Sequence, residues 1–279
     1  MRLTRTAVLS SILTGSLAAC TPIQQRGLPP ETPTTTVAAK APSCPANASW
    51  APAPPNSADS LSDYQKSVDA RNRNDWAYLT RYRQANAELG DPKPGEARVV
   101  FMGNSITDAW AKSFPAMFPG KPYVGRGISG QTTPQMLVRF RQDVIDLKPT
   151  VVVILAGTND IAGNTGPSTL EMIEDNLKSM TELAQRNGIR VVLSSVLPVY
   201  DYPWKPGLEP APKIVALNDW MEQYAKSVGA VYLDYWTALA DARHGMRAEY
   251  SADGVHPNEA GYRVMAPLAE KAIAEAMRR

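Results

Sequence analysis

The sequence predicts an α/β protein whose core is a five-stranded parallel sheet with helices on both faces. Two observations carry this prediction: five short runs rich in valine and isoleucine, and longer stretches with helical periodicity between them. The runs are apolar at successive positions, as expected for strands that are buried on both faces. Because strands and helices alternate, the strands should be parallel and joined by helical crossovers.

The predicted elements follow one another in a regular order from residue 97 onward. The strand candidates are residues 97–102, 123–125, 150–156, 189–194 and 230–234. The helix candidates lie near residues 107–117, 131–147, 168–187, 211–228 and 258–277. Pro267 is expected to interrupt or kink the last helix, because proline lacks the N–H that a helix interior uses. Ligands of such sheets bind beyond the carboxyl ends of the strands, so polar motifs that follow strands are the candidates for function.

Residues 57–95 are predicted to form an N-terminal helical extension. Large side chains recur there at helical spacing in two sets, Leu61, Tyr64 and Val68, then Trp76, Leu79 and Tyr82. The pair Asn74-Asp75 offers a break or an N-cap between two helices. We expect the aromatic stripe to pack on the body of the protein, with a binding face as the alternative.

The first residues of the chain carry an export signal. Residues 1–19 combine a basic start with a short apolar run, which is typical of a signal peptide and too short to span a bilayer. Cys20 follows Leu-Ala-Ala and resembles the lipidated cysteine of a bacterial lipobox. Ordinary cleavage after Ala19, which leaves Cys20 free, is the alternative. The next residue is Thr21. In lipoproteins an aspartate at this position favours the inner membrane, so its absence indicates the outer membrane, with the protein facing the periplasm or the cell surface.

Residues 20–56 are predicted to be a tether between this membrane anchor and the folded body. They contain nine of the 24 prolines and few large apolar residues, so they cannot bury a core.

Composition excludes several classes of function. The formal net charge is only +2, from 29 basic and 27 acidic residues, and no basic cluster indicates a nucleic-acid partner. The two cysteines, Cys20 and Cys44, form no CxxC pair, so neither a metal site nor a cofactor is expected. The oligomeric state is left open.

Four polar motifs follow predicted strands or precede the last helix. Gly103-Asn104-Ser105-Ile106 places Ser105 at a strand-to-helix turn, where a helix N-cap is the alternative role. The second motif, residues 125–133, offers a glycine whose N–H could face an oxyanion. Its glycine spacing differs from that of a dinucleotide-binding loop. Asn159 follows the third strand and could supply an uncharged amide donor. The alternative is an asparagine that merely forms a turn or a cap.

The fourth motif contains Asp253 and His256, one of only two histidines. A carboxylate three residues before an imidazole can fix its tautomer and stabilise the imidazolium that forms when His256 takes a proton from Ser105. The other histidine, His244, is assigned to a surface loop without a role.

Together the four motifs resemble the SGNH (GDSL-like) hydrolase family, which is named after one residue of each block. The resemblance implies that Ser105 is the nucleophile, with Asp253 and His256 as its acid–base partners. It also implies an oxyanion hole formed by the N–H groups of Ser105 and Gly130 and the amide of Asn159. The implied fold for residues 96–279 is a flavodoxin-like, three-layer α/β/α sandwich. One departure is Asn104, which stands where the family's name motif has aspartate.

The resemblance implies a serine esterase that cleaves acyl or acetyl esters of glycans or of lipids such as lysophospholipids. Tyr202 and Trp204 follow the fourth strand and could stack on a sugar or line an acyl pocket, or else belong to a loop that packs on its own body. Two alternatives stay open: an O-acyltransferase acting on envelope glycans, and a non-catalytic glycan-binding lipoprotein.

Overall fold

The computed structural model describes residues 63–279 of the chain. The predicted signal peptide, Cys20 and the tether lie outside this range. The described part contains one parallel sheet in the order β2-β1-β3-β4-β5. Its strands are β1 (Val99–Gly103), β2 (Tyr123–Gly127), β3 (Val151–Leu155), β4 (Arg190–Ser194) and β5 (Val231–Leu233). The predicted five-stranded parallel sheet is therefore confirmed, with strand bounds within two residues of those expected from the sequence.

Ten α-helices occur in the described residues, together with 3-10 turns at Ile145–Leu147 and Ala248–Tyr250. The helices are α1 (Asp63–Asn74), α2 (Arg83–Leu89), α3 (Ser105–Ala111), α4 (Phe114–Met117), α5 (Thr133–Asp143), α6 (Thr158–Ile161), α7 (Leu170–Arg186), α8 (Pro210–Ser227), α9 (Trp236–Leu239) and α10 (Glu259–Arg278). Among residues 63–279, no helix has both the length and the apolar character that a bilayer crossing requires.

Two apolar cores lie on opposite faces of the sheet. Val100 and Met102 of β1 face one core, which α5, α7 and α8 cover. Val99 and Phe101 face the other core, which α3, α4, α9 and α10 cover. Successive residues of a strand point to opposite faces, so continuous burial of β1 requires a helix layer on each side. The molecule is thus the three-layer α/β/α sandwich that the sequence predicts.

Helix α10 runs without interruption through Pro267, so the predicted break was wrong. Pro267 is exposed, and the residue four positions earlier, Arg263, is exposed too. The carbonyl that loses its helical partner therefore faces solvent, where water can satisfy it. The predicted cap of this helix is present: the Asn258 side chain accepts the N–H of Gly261 at 3.1 Å.

The N-terminal extension differs from its prediction between its two helices. Residues 75–82 form turns, although their aromatic spacing predicted a helix. The Asp75 carboxylate accepts the N–H groups of Leu79 at 2.7 Å and Thr80 at 2.9 Å, which replaces helical hydrogen bonds. Tyr78 adopts a left-handed conformation with φ of 53°. We call residues 75–89, which comprise these turns and α2, the strap.

Candidate active site

Ser105 lies at the first position of α3, immediately after β1. Asn104, not Ser105, caps this helix, because the Asn104 side chain accepts the N–H of Ile106 at 3.0 Å. The cap leaves the Ser105 hydroxyl available for another partner. That partner is His256, whose Nε2 lies 2.9 Å from the Ser105 Oγ. Residues 151 positions apart in the chain thus meet at the carboxyl edge of the sheet.

His256 is held in turn by Asp253. Its Nδ1 lies 2.7 Å from Asp253 Oδ2, while Asp253 Oδ1 accepts the backbone N–H groups of Val255 at 2.9 Å and of His256 at 2.8 Å. The loop therefore fixes the carboxylate first and the carboxylate then fixes the ring. This geometry favours the tautomer with its proton on Nδ1, which leaves Nε2 as an acceptor for the Ser105 hydroxyl.

The environment of Asp253 keeps its carboxyl ionised. Partial burial by itself raises the pKa, but the hydrogen bonds from His256 and Val255 outweigh burial and lower the pKa to about 2. A permanent negative charge beside Nδ1 is suited to stabilising an imidazolium on His256 at neutral pH.

The loop that follows β2 carries Gly130, which has a left-handed φ of 79°. A glycine adopts this conformation without the strain that a Cβ would cause. Two asparagine side chains hold the loop: Asn159 Nδ2 donates to the Gln131 carbonyl at 2.8 Å, and Asn164 Nδ2 donates to the Gly130 carbonyl at 3.1 Å. The second and third motifs are thus linked directly, and Asn159, itself buried, retains one amide hydrogen for another acceptor.

Two buried charged residues that the sequence analysis did not select brace these loops. Arg139 is fully buried and donates to the carbonyls of Gly103 at 2.9 Å and Arg126 at 3.0 Å, which joins the ends of β1 and β2. Asp160 accepts the hydroxyl of Thr133 at 2.6 Å and ties α6 to α5. Burial raises the pKa of Asp160 to about 6. The sequence offered one signal for Arg139: Asp143 lies four residues later, a spacing that favours an ion pair on one face of a helix.

Tyr202 and Trp204 have different environments. Tyr202 is fully buried, and its hydroxyl contacts Thr158, the neighbour of Asn159, at 2.9 Å. Its ring therefore presents no surface on which a substrate could stack, and of the two alternatives from the sequence, Tyr202 fits the loop that packs on its own body. Trp204 is 47% exposed, and its ring centroid lies 6.2 Å from that of His256. Trp204 thus stands beside the imidazole with part of its ring open to solvent.

Solved structures with the same fold include two from Bacteroides species. One, a candidate acylhydrolase from Bacteroides fragilis, is 46% identical, with a TM-score of 0.71, and the match covers 73% of this chain and 99% of the other. The second, a GDSL-like lipase from Bacteroides thetaiotaomicron, is 45% identical, with a TM-score of 0.70, and the match covers 72% and 100%.

Three further relatives match this chain at lower identity or over a smaller share of its length than the two Bacteroides structures. Esterase TesA of Pseudomonas aeruginosa is 27% identical over 58% of this chain and 77% of its own length. Acetylxylan esterase of Xylanibacter ruminicola is 26% identical over 65% of this chain, which spans 44% of that enzyme. The lipoprotein YqeF of Bacillus subtilis is 35% identical over 27% of this chain, which spans 32% of that protein.

The model of the GDSL-like Lipase/Acylhydrolase family matches residues 101–264. This range covers more than half of the chain and includes Ser105, Gly130, Asn159, Asp253 and His256. The sequence motifs, the fold and the family model agree, and the protein belongs to the GDSL-like lipase/acylhydrolase family.

Proposed function

We propose that this protein is a serine esterase that hydrolyses carboxylic esters through Ser105, His256 and Asp253. The observation that carries the proposal is the continuous chain of contacts from the Ser105 Oγ to His256 Nε2, at 2.9 Å, and from His256 Nδ1 to Asp253, at 2.7 Å. A nucleophile, a base and an orienting carboxylate at these separations are the arrangement that acyl transfer requires.

In the first step, His256 Nε2 takes the proton of the Ser105 hydroxyl while Oγ forms a bond to the ester carbonyl carbon. The tetrahedral intermediate then collapses, and Nε2 returns the proton to the departing alcohol oxygen as the ester C–O bond breaks. In the second step, water attacks the acyl-enzyme with His256 again as base, and Ser105 recovers its proton when the acid leaves.

The negative charge of the intermediate needs donors that are already in place. The N–H groups of Ser105 and Gly130 and the free amide hydrogen of Asn159 are assigned to this role. Asn159 is suited to it, because its bond to the Gln131 carbonyl fixes the orientation of the side-chain amide. A donor that needs no reorganisation during the reaction stabilises the transition state more than the ground state.

Covalent labelling tests this proposal directly. A serine-reactive fluorophosphonate should modify wild-type protein once, and peptide mass spectrometry should place the label on Ser105. The Ser105→Ala variant is the matched control and should stay unlabelled. Failure of the wild type to react, or a label at another serine in both proteins, would overturn the assignment of the nucleophile.

The substrate class is proposed to be acyl or acetyl esters of glycans, with lipid esters such as lysophospholipids as the comparison. Trp204 supports a sugar-bearing substrate, because a partly exposed indole beside the general base can stack on a flat pyranose face. The acetylxylan esterase among the relatives is consistent with this class.

The Trp204→Ala variant should raise KM for an acetylated oligosaccharide by about three- to tenfold, because one aromatic contact is lost. The rate on p-nitrophenyl acetate, which lacks a sugar, should change by less than about twofold. Tyr200→Ala removes an exposed aromatic residue of the same loop that stacks on Arg243, and serves as the control. An equal loss on the glycan and on p-nitrophenyl acetate would show that Trp204 supports the site without selecting the substrate.

The protein is further proposed to be exported and held at the membrane by a lipid on Cys20. This residue lies outside the described part of the structure, and the support is the lipobox-like sequence together with a lipoprotein among the relatives. Growth with an alkyne fatty acid should label the wild type and a Cys44→Ala control, while Cys20→Ala should lose the label. Persistent labelling of Cys20→Ala would contradict the anchor.

A further inference from the structure

We propose that the strap, residues 75–89, is a positioning element for the loop that carries Gly130, and that Tyr82 is its main contact residue. This inference rests on the proposed function, in which Gly130 and Asn159 stabilise the oxyanion. The strap lies before residues 101–264, the range matched by the family model. It contacts the Gly130 loop at both ends, at Gly127 and at Gln131.

At the first end of the loop, the Tyr82 hydroxyl donates to the carbonyl of Gly127, the last residue of β2. The Tyr82 ring is buried and lies under two guanidinium groups, those of Arg81 at 4.7 Å and Arg126 at 4.8 Å from its centroid. Burial raises the pKa of Tyr82, so the hydroxyl keeps the proton that it donates. The ring and the hydroxyl thus fix the point where the chain leaves the sheet.

At the other end of the loop, the Gln131 side chain donates to the carbonyl of Ala77 at 2.7 Å. Both residues are buried. The backbone carbonyl of Gln131 is also the acceptor for Asn159 Nδ2. A continuous set of contacts therefore runs from the strap through Gln131 to the amide that is assigned to the oxyanion. The N–H of Gly130 lies between the two contact points.

The strap is itself anchored to the body along α5. Three side chains make these contacts: Gln135 donates to the Trp76 carbonyl at 2.7 Å, Gln142 to the Leu79 carbonyl at 2.7 Å, and Asn86 to the Asp143 carboxylate at 2.7 Å. Because these contacts come from α5 and not from residues 127–131, the strap can define where the loop lies. Displacements well below 1 Å matter for an oxyanion donor, since its hydrogen bond is required only in the transition state.

The test compares two Tyr→Phe variants of the strap in the full chain. Tyr82→Phe removes the donor to Gly127 and keeps the ring beneath the two arginines. Tyr78→Phe is the control, because the Tyr78 hydroxyl makes no hydrogen bond within residues 63–279. We expect Tyr82→Phe to lower kcat for p-nitrophenyl acetate by about three- to tenfold, with KM within about twofold of wild type. Tyr78→Phe should change neither constant.

A second comparison separates positioning from a general loss of stability. In an Asn159→Ala background, Tyr82→Phe should lower kcat by a smaller factor than in the wild type, because one of the two donors that the loop helps to place, the Asn159 amide, is already gone and only the Gly130 N–H remains. A fully multiplicative loss in the double variant, or an unchanged kcat in Tyr82→Phe alone, would overturn the role of the strap. Both outcomes leave the esterase assignment intact, whereas a wild type that is inactive and unlabelled by the fluorophosphonate would overturn the proposed function itself.

Discussion

The Ser105→Ala variant should lose at least about 10⁴-fold in kcat/KM on p-nitrophenyl acetate. The physical reason is that no acyl-enzyme can form without the Oγ atom, and the base at 2.9 Å then has no proton to remove. Steady-state hydrolysis measured over the range of substrate concentrations around KM checks this expectation.

The fold of this variant should be unchanged. Within residues 63–279, Ser105 Oγ makes one hydrogen bond, to His256, so its loss should alter the free energy of unfolding by no more than about 1 kcal/mol. Ser179→Ala is a suitable control, since that hydroxyl donates to the Asp175 carbonyl on the surface of α7. A Ser105→Ala protein that retains wild-type stability and more than a tenth of the activity would refute the mechanism.

The Asp253→Asn variant should lower kcat by about 10³- to 10⁴-fold, by analogy with triads in which the same exchange stabilises the wrong imidazole tautomer. In this protein the asparagine Oδ1 can still accept the N–H groups of Val255 and His256, so the loop should keep its shape. The amide Nδ2 would then face His256 Nδ1 and donate to it, which moves the ring proton to Nε2 and prevents that atom from accepting the Ser105 proton.

The control for this variant is Asp241→Asn, which alters another loop carboxylate that accepts backbone N–H groups, those of Arg243 and Gly245. Asp241→Asn should retain near wild-type kcat. Equal losses in both variants would indicate that loop integrity, rather than the tautomer of His256, limits activity.

The lowered pKa of Asp253 adds a dependence of stability on pH. Because the pKa is about 2 in the folded state and about 3.9 in the unfolded chain, the unfolded state binds more protons between these values. The stabilising contribution is therefore complete above pH 4 and is lost as the pH falls toward 2. Thermal unfolding should show the Tm of the wild type falling relative to that of Asp253→Asn in this window. A constant difference would contradict the assigned pKa.

Local patterns were sufficient to predict much of this molecule. The strands could be recognised because a continuous apolar run such as Val151–Leu155 must be buried on both faces. This inference does not require knowing which strands or helices pack against the run. The pairing of Asp253 with His256 could also be predicted, since residues three apart in one loop are necessarily close. Asn258 could be assigned as a cap for the same reason, because capping depends only on the first turn of the helix.

Long-range packing decided the features that the sequence analysis missed. The spacing of Trp76, Leu79 and Tyr82 fits a helix, yet Tyr82 reaches Gly127 and the segment turns to follow α5. Tyrosine is common in surface binding sites, but the Tyr202 hydroxyl forms a hydrogen bond with Thr158 and its ring is buried in the core. From the sequence, Arg139 cannot be distinguished from an exposed polar position of a helix. Its bonds to the carbonyls at the ends of β1 and β2 are visible only in the structure.

The sequence by itself determined the fold class, the family resemblance and the residue types of the proposed site, because these depend on periodicity and on short motifs after strands. Only the tertiary structure decided that the Ser105 hydroxyl and the His256 ring meet at 2.9 Å across 151 residues. It also decided which side chains brace the Gly130 loop. The physical reason is that a hydrogen bond needs its two atoms within about 3 Å, and only the packing of helices on the sheet brings such distant residues that close.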